Sequence, residues 1–125
     1  MRVLGITWLG VQTENFDAMS TFVERLMGVP APRHGEGFRL WSFPNGDLIE
    51  LYAGGTKPPF EDAPVVGFRV DDLEAGRALL AELGAEIVGG YGPNESGYES
   101  VHFRAPDRNI YELTFDPDHE RRATQ

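Results

Sequence analysis

The chain has 125 residues, with 11 basic and 20 acidic side chains and a formal charge of −9. That length suits one domain, and 41% hydrophobic with 11% aromatic residues is enough for a core and argues against disorder. The acidic balance disfavours nucleic-acid binding through phosphate attraction, and the absence of cysteine excludes disulfides, thiolate nucleophiles and cysteine-held metals.

Residues 3–11 are β-branched and aromatic and read as a strand. Thr13, Glu14 and Asn15 offer helix caps, and Phe16, Met19, Phe22, Val23, Leu26 and Met27 follow at helical spacing up to Gly28. Residues 37–43 and 48–53 read as two strands joined by the turn Pro44-Asn45-Gly46-Asp47. Residues 54–64 hold three prolines and read as a linker. The order then repeats: a strand at 65–70, and a helix capped by Asp71-Asp72 that carries Leu73, Leu79, Leu80 and Leu83 and ends at Gly84. A short strand at 86–88 follows. The glycine-rich stretch 89–100 reads as a mobile loop. Strands at 101–104 and 110–115 flank the turn Pro106-Asp107-Arg108-Asn109, and residues 117–125 read as a frayed tail. No stretch has the ~20 apolar residues of a membrane span, and no secretory pattern opens the chain, so a cytoplasmic protein with no membrane partner is expected.

The two halves align with each other. Residues 41–51 (WSFPNGDLIEL) match residues 103–113 (FRAPDRNIYEL) at an offset of 62, while Gly10 with Gly67 and Phe16 with Leu73 match at 57. Strand-helix-strand-turn-strand therefore occurs twice, in residues 1–55 and 64–116 of one domain. This pattern, above all residues 66–73 (VGFRVDDL) and 106–113 (PDRNIYEL), resembles the vicinal-oxygen-chelate superfamily, which includes glyoxalase I, bleomycin-resistance proteins and extradiol dioxygenases. The resemblance implies an α+β fold of two βαβββ modules, with curved mixed sheets around a cleft, helices outside and, commonly, a homodimer.

Strand alternation turns Trp8, Gly10 and Gln12, Leu48, Glu50 and Tyr52, Val65, Gly67 and Arg69, Ile110, Glu112 and Thr114 toward that cleft. Ser100, His102 and Arg104 are placed there by parity with the family, and Phe38 and Leu40 by a looser correspondence. The family's metal ligands come from the first and last strand of each module. The last-strand positions fall on Glu50 and Glu112, but the first-strand positions fall on Trp8 and Val65, which offer a metal no lone pair. No resident cofactor is expected, and a divalent metal would need an improvised set of Glu50, Glu112 and His102.

Glu50, Glu112 and His102 are the candidate catalytic groups, because desolvated carboxylates and an imidazole can move protons near neutral pH. The alternative is that Arg69 or Arg104 neutralises the carboxylates. Trp8, Gln12, Phe38, Tyr52, Arg69, Tyr98 and Ser100 are the candidate ligand-binding residues, since aromatic walls around carboxylates suit a flat or cationic molecule. The expected partner is thus a small molecule, bound in the manner that bleomycin-resistance proteins imply. A glyoxalase-like lyase or isomerase is the rival, and a partner-binding module with a filled cleft is the third reading.

Overall fold

The computed structural model describes residues 1–55 and 63–123. Most of the expected linker, residues 56–62, lies outside them. The first half runs β1 (Val3–Thr13), α1 (Phe16–Met27), β2 (Arg33–Gly35), β3 (Phe38–Ser42) and β4 (Leu48–Ala53). The second runs β5 (Val65–Val70), α2 (Leu73–Glu82), β6 (Glu86–Tyr91), β7 (Glu99–Arg104) and β8 (Ile110–Phe115), and α3 (His119–Ala123) follows. One eight-stranded sheet has the order β2-β3-β4-β1-β5-β8-β7-β6. Each half contributes four strands in the same internal order, with its first and last strands parallel, and β1 meets β5 antiparallel at the centre. The halves thus pair within the chain and edge to edge.

The helices lie on one face. Under α1, Val23, Ala31, Trp41 and Leu51 are buried with Phe16, Met19 and Met27 beside them. Under α2, Val70, Leu73, Leu80, Val101, Phe103 and Leu113 are buried. Two expectations for the helices need correction. Phe22 and Leu26, counted on the apolar stripe of α1, point outward, as do Leu79 of α2 and Leu83 just past its end. The stripe touching the sheet is narrower than the composition of the helices. Asp72, rather than Asp71, caps α2, accepting the Ala75 N–H at 3.0 Å.

The opposite face is a trough. Leu40 of β3, Leu48 and Tyr52 of β4, Trp8 of β1, Val65 of β5 and Ile110 of β8 pack into one buried cluster there, across five strands.

Three further expectations need correction. Residues 89–100 are not one loop, because β6 continues to Tyr91 and β7 begins at Glu99, leaving 92–98 as the connection. An edge strand, β2, pairs with β3 where none was expected. The tail is not frayed up to Ala123: α3 docks on the β3–β4 turn of the first half. There the His119 ring Nε2 lies 2.8 Å from Asp47, Arg122 donates to the Gly46 carbonyl at 2.8 Å, and Arg122 also pairs with buried Asp116. Among the described residues, no helix is long and apolar enough to cross a membrane.

Candidate functional site

Two rungs of the sheet build the trough floor. On one, Leu40, Glu50, Gly10 and Val65 are register partners. On the other, Leu48, Trp8, Gly67, Glu112, His102 and Gly89 are register partners. Around the first rung, Trp8, Leu40, Leu48, Tyr52, Val65 and Ile110 form a buried cluster, with Phe38 packed against it. The strand parity deduced from the sequence puts Trp8, Glu50, Tyr52, Val65 and Glu112 on this face, and His102, placed by the resemblance, is the register partner of Glu112.

Trp8 dominates the floor. It is 4% exposed, and its indole lies over Gly10 two residues along the strand. A methyl group on Gly10 would overlap the ring at Cη2 and Cζ2. On the neighbouring strand, a methyl on Gly67 would sit 3.2 Å from the Trp8 Cβ and 3.3 Å from a Glu112 oxygen. Both glycines are therefore spacers that admit one large ring between the glutamates. The indole N–H donates to Glu50 Oε1 at 3.0 Å, and the ring lies tilted beside His102 at 6.4 Å between centroids.

The carboxylates differ in surroundings. Glu50 is partly buried and accepts from the Trp8 indole and from Tyr52, two residues along its own strand. Glu112 is 3% exposed. Its Oε2 lies 2.6 Å from His102 Nε2, and its Oε1 accepts the Thr114 hydroxyl, again two residues along the strand. Tyr98 approaches the same group from the connection ahead of β7, and its ring lies edge-on to Tyr91 at 5.9 Å. Burial first, and then the charges of Glu50 and Glu112, raise the Tyr52 and Tyr98 phenols well above their ordinary range. Both phenols stay protonated, and Tyr52 donates to Glu50.

The remaining candidates divide. Ser100 is buried opposite Thr114, Phe38 faces Tyr52 across β3 and β4, and Gln12 is the register partner of Tyr52. Arg69 does not neutralise a trough carboxylate: it pairs with Glu120 of α3 at 3.4 Å, because that helix brings a nearer acid. The Arg104 guanidinium donates to the Arg108 carbonyl at 2.6 Å and lies 3.8 Å from Glu86. Thr114, which sequence parity placed inward without a role, is a hydrogen-bond donor to Glu112. Two surface grooves, of about 420 and 870 Å³, lie by the β3–β4 turn and the start of α1, and neither is lined by Glu112 or His102.

The metal that the resemblance implies does not fit these residues. Trp8 fills the position of one ligand and its N–H already occupies Glu50, while Val65 offers no donor atom. Among the described residues, no group of three or more His, Asp or Glu is placed to hold an ion.

No protein-family model and no curated protein matches the sequence. Solved structures do match in fold. An extradiol ring-cleaving dioxygenase from B. fuscum has a TM-score of 0.74 at 18% identity, covering 97% of this chain and 35% of that one. A Mn(II)-bound glyoxalase from Novosphingobium aromaticivorans gives 0.72 at 18%, covering 92% and 40%. A glyoxalase/bleomycin resistance protein/dioxygenase superfamily member from Vibrio splendidus 12B01 gives 0.66 at 12%, covering 86% and 96%. The chain thus spans less than half the length of the first two and nearly all of the third. It has the vicinal-oxygen-chelate fold, two βαβββ modules with their helices on the outside, as the sequence resemblance implied.

Proposed function

We propose that the protein binds a small aromatic or cationic molecule in the trough without the help of a metal, in a bleomycin-resistance-like role. The observation that carries this reading is how Glu50 is held. Its carboxylate is fixed by an indole N–H and a phenol, donors that orient the charge without cancelling it, and Arg69 is committed to Glu120 instead. A negative charge framed by aromatic faces attracts an organic cation through the ring quadrupoles and the carboxylate together. Tyrosines that stay protonated add fixed donors for orientation.

Tryptophan fluorescence tests this directly. Trp41 is 1% exposed, lies under α1 and donates to the Val29 carbonyl, so it serves as an internal reference. Aromatic ammonium compounds are expected to quench saturably, with neutral isosteres at least about tenfold weaker (about 1.4 kcal/mol), and Trp8→Phe is expected to abolish the response. A flat response to every member of the panel would rule the reading out.

The His102–Glu112 contact supports a second reading, a lyase or isomerase in which the imidazole moves a proton and the carboxylate orients it. Under that reading Glu112→Gln abolishes exchange of a substrate C–H with heavy water, while binding survives.

A further inference from the structure

The sheet has two outer edges, and the two halves finish them differently. In the first half the edge is β2, three residues long and led by Arg33 and His34. A short edge that carries charge resists pairing with another chain. In the second half the edge is β6, the six residues Glu86-Ile87-Val88-Gly89-Gly90-Tyr91, with none of the Lys, Arg or Pro that blunt an edge. Its one charged residue, Glu86, lies 3.8 Å from Arg104 on the neighbouring strand. Ile87 and Tyr91 are half exposed, and Leu83 at the turn into the strand is 70% exposed. Among the described residues, β7 is the only strand beside β6.

A bulge gives this edge an internal symmetry. Ile87 pairs with Phe103 and Gly89 with His102, so Val88 is an extra residue in the strand. Ile87 and Gly90, opposite Phe103 and Val101, therefore share the helix face, while Glu86 and Tyr91, opposite Arg104 and Ser100, share the trough face. We propose that β6 is a self-recognition edge, pairing antiparallel with β6 of a second copy about a two-fold axis between Val88 and Gly89. That register sets Ile87 across from Gly90 of the second copy, Val88 across from its Gly89 and Glu86 across from its Tyr91. The bulge keeps the Ile87–Gly90 and Glu86–Tyr91 pairs each on one face, and both aliphatic side chains meet a glycine instead of a second bulky group. The two Glu86 carboxylates stand at opposite ends of the paired segment, so two chains of charge −9 meet without a like-charge contact. Pairing uses up the long edge of both copies, and assembly stops at a dimer.

Sedimentation velocity over a concentration series up to about 100 µM tests it, with circular dichroism confirming the fold of each variant. Wild type is expected to pass from monomer to dimer and no further. Amide hydrogen exchange at residues 86–91 is expected to slow as concentration rises, while exchange in β2 stays fixed. Ile87→Lys puts a charge on the edge and is expected to weaken the dimer at least about tenfold. Tyr91→Lys, facing Glu86 of the second copy, is expected to tighten it about threefold, and Tyr91→Glu to weaken it by as much. Both lose the ring contact with Tyr98, so the difference between them reads the facing acid. Thr21→Lys and Thr21→Glu on α1 control for net charge and are expected to differ far less. A wild type that stays monomeric throughout overturns the proposal. So does a dimer indifferent to Ile87→Lys, a dimer without slowed exchange at 86–91, or growth beyond two copies. Equal affinities for Tyr91→Lys and Tyr91→Glu overturn the register.

Discussion

In each half the last strand carries a glutamate on the trough face, with a hydroxyl-bearing residue two positions on: Glu50 with Tyr52, and Glu112 with Thr114. A glycine of the first strand lies beside each, Gly10 and Gly67 respectively. The neighbour on the other side differs, Leu40 in the first half and His102 in the second. Glu50 is therefore partly open and framed by rings, whereas Glu112 is buried, with an imidazole nitrogen 2.6 Å away and a hydroxyl donating to it. The duplicated frame decides where both carboxylates stand. The residue facing each one decides whether it is left partly open among rings or lies buried beside an imidazole.

Erasing the difference on the second-half rung gives the largest expected effect. His102→Leu installs the first-half residue and leaves a 3%-exposed carboxylate with Thr114 as its remaining partner. Breaking a buried pair in this way costs roughly 3–5 kcal/mol. A double change, His102→Leu with Glu112→Leu, is expected to recover much of that loss, because it removes the stranded acid. Urea denaturation at neutral pH measures both. A His102→Leu cost below about 1 kcal/mol would mean that the two rungs are energetically alike.

The two glycines sharpen the comparison next. Gly10→Ala drives a methyl into the indole, so overpacking of about 1–3 kcal/mol is expected, with the Trp8–Glu50 bond disturbed as well. Gly67→Ala meets its nearest atoms at 3.2 Å or more, and well under about 1 kcal/mol is expected because a small shift relieves it. Equal melting temperatures for the two variants would show that Trp8 does not pack against Gly10.

Much of this arrangement was legible because it depends on period. Alternation along β1, β4 and β8 placed Trp8, Glu50 and Glu112 on one face, the family resemblance added His102, and the repeat made Glu50 and Glu112 equivalent. What stayed hidden depends on contacts between distant residues. The five residues of α3 have no apolar periodicity, and they fold because His119 meets Asp47 and Arg122 meets Gly46, pairs 72 and 76 residues apart. That helix also explains why Arg69 left the trough carboxylates, since Glu120 exists as a partner only once α3 has docked. β2, with the polar run Arg33-His34-Gly35, is a strand only by virtue of β3 beside it.

The phenols compare the halves by pH. Tyr52 and Tyr98 are raised by burial and by the trough carboxylates, so the folded chain keeps protons that the unfolded chain releases near the ordinary value of about 10. Above that pH the unfolded state binds fewer protons and stability falls, by up to about 1.4 kcal/mol per pH unit for each tyrosine. Below it the contribution is fully present. Tyr98→Phe is expected to flatten the alkaline limb of the stability curve by one tyrosine's share and leave Tyr52 as the remainder. A limb with unchanged slope would place the Tyr98 phenol in water.

The smallest expected effect separates the helices that back the two halves. Asp72 accepts the Ala75 N–H at 3.0 Å, satisfying one of the unpaired donors at the start of α2, whereas Asn15 at the start of α1 makes no side-chain capping bond. Asp72→Ala is expected to cost about 1 kcal/mol and Asn15→Ala only a few tenths, seen as a lower urea midpoint with unchanged slope. α2 backs the half that carries Glu112 and His102, so the capped helix supports the buried pair, and the uncapped one supports the rung where Glu50 needs only the Trp8 and Tyr52 rings. If both variants cost the same, the helices contribute equally, and the difference between the halves is confined to the trough face.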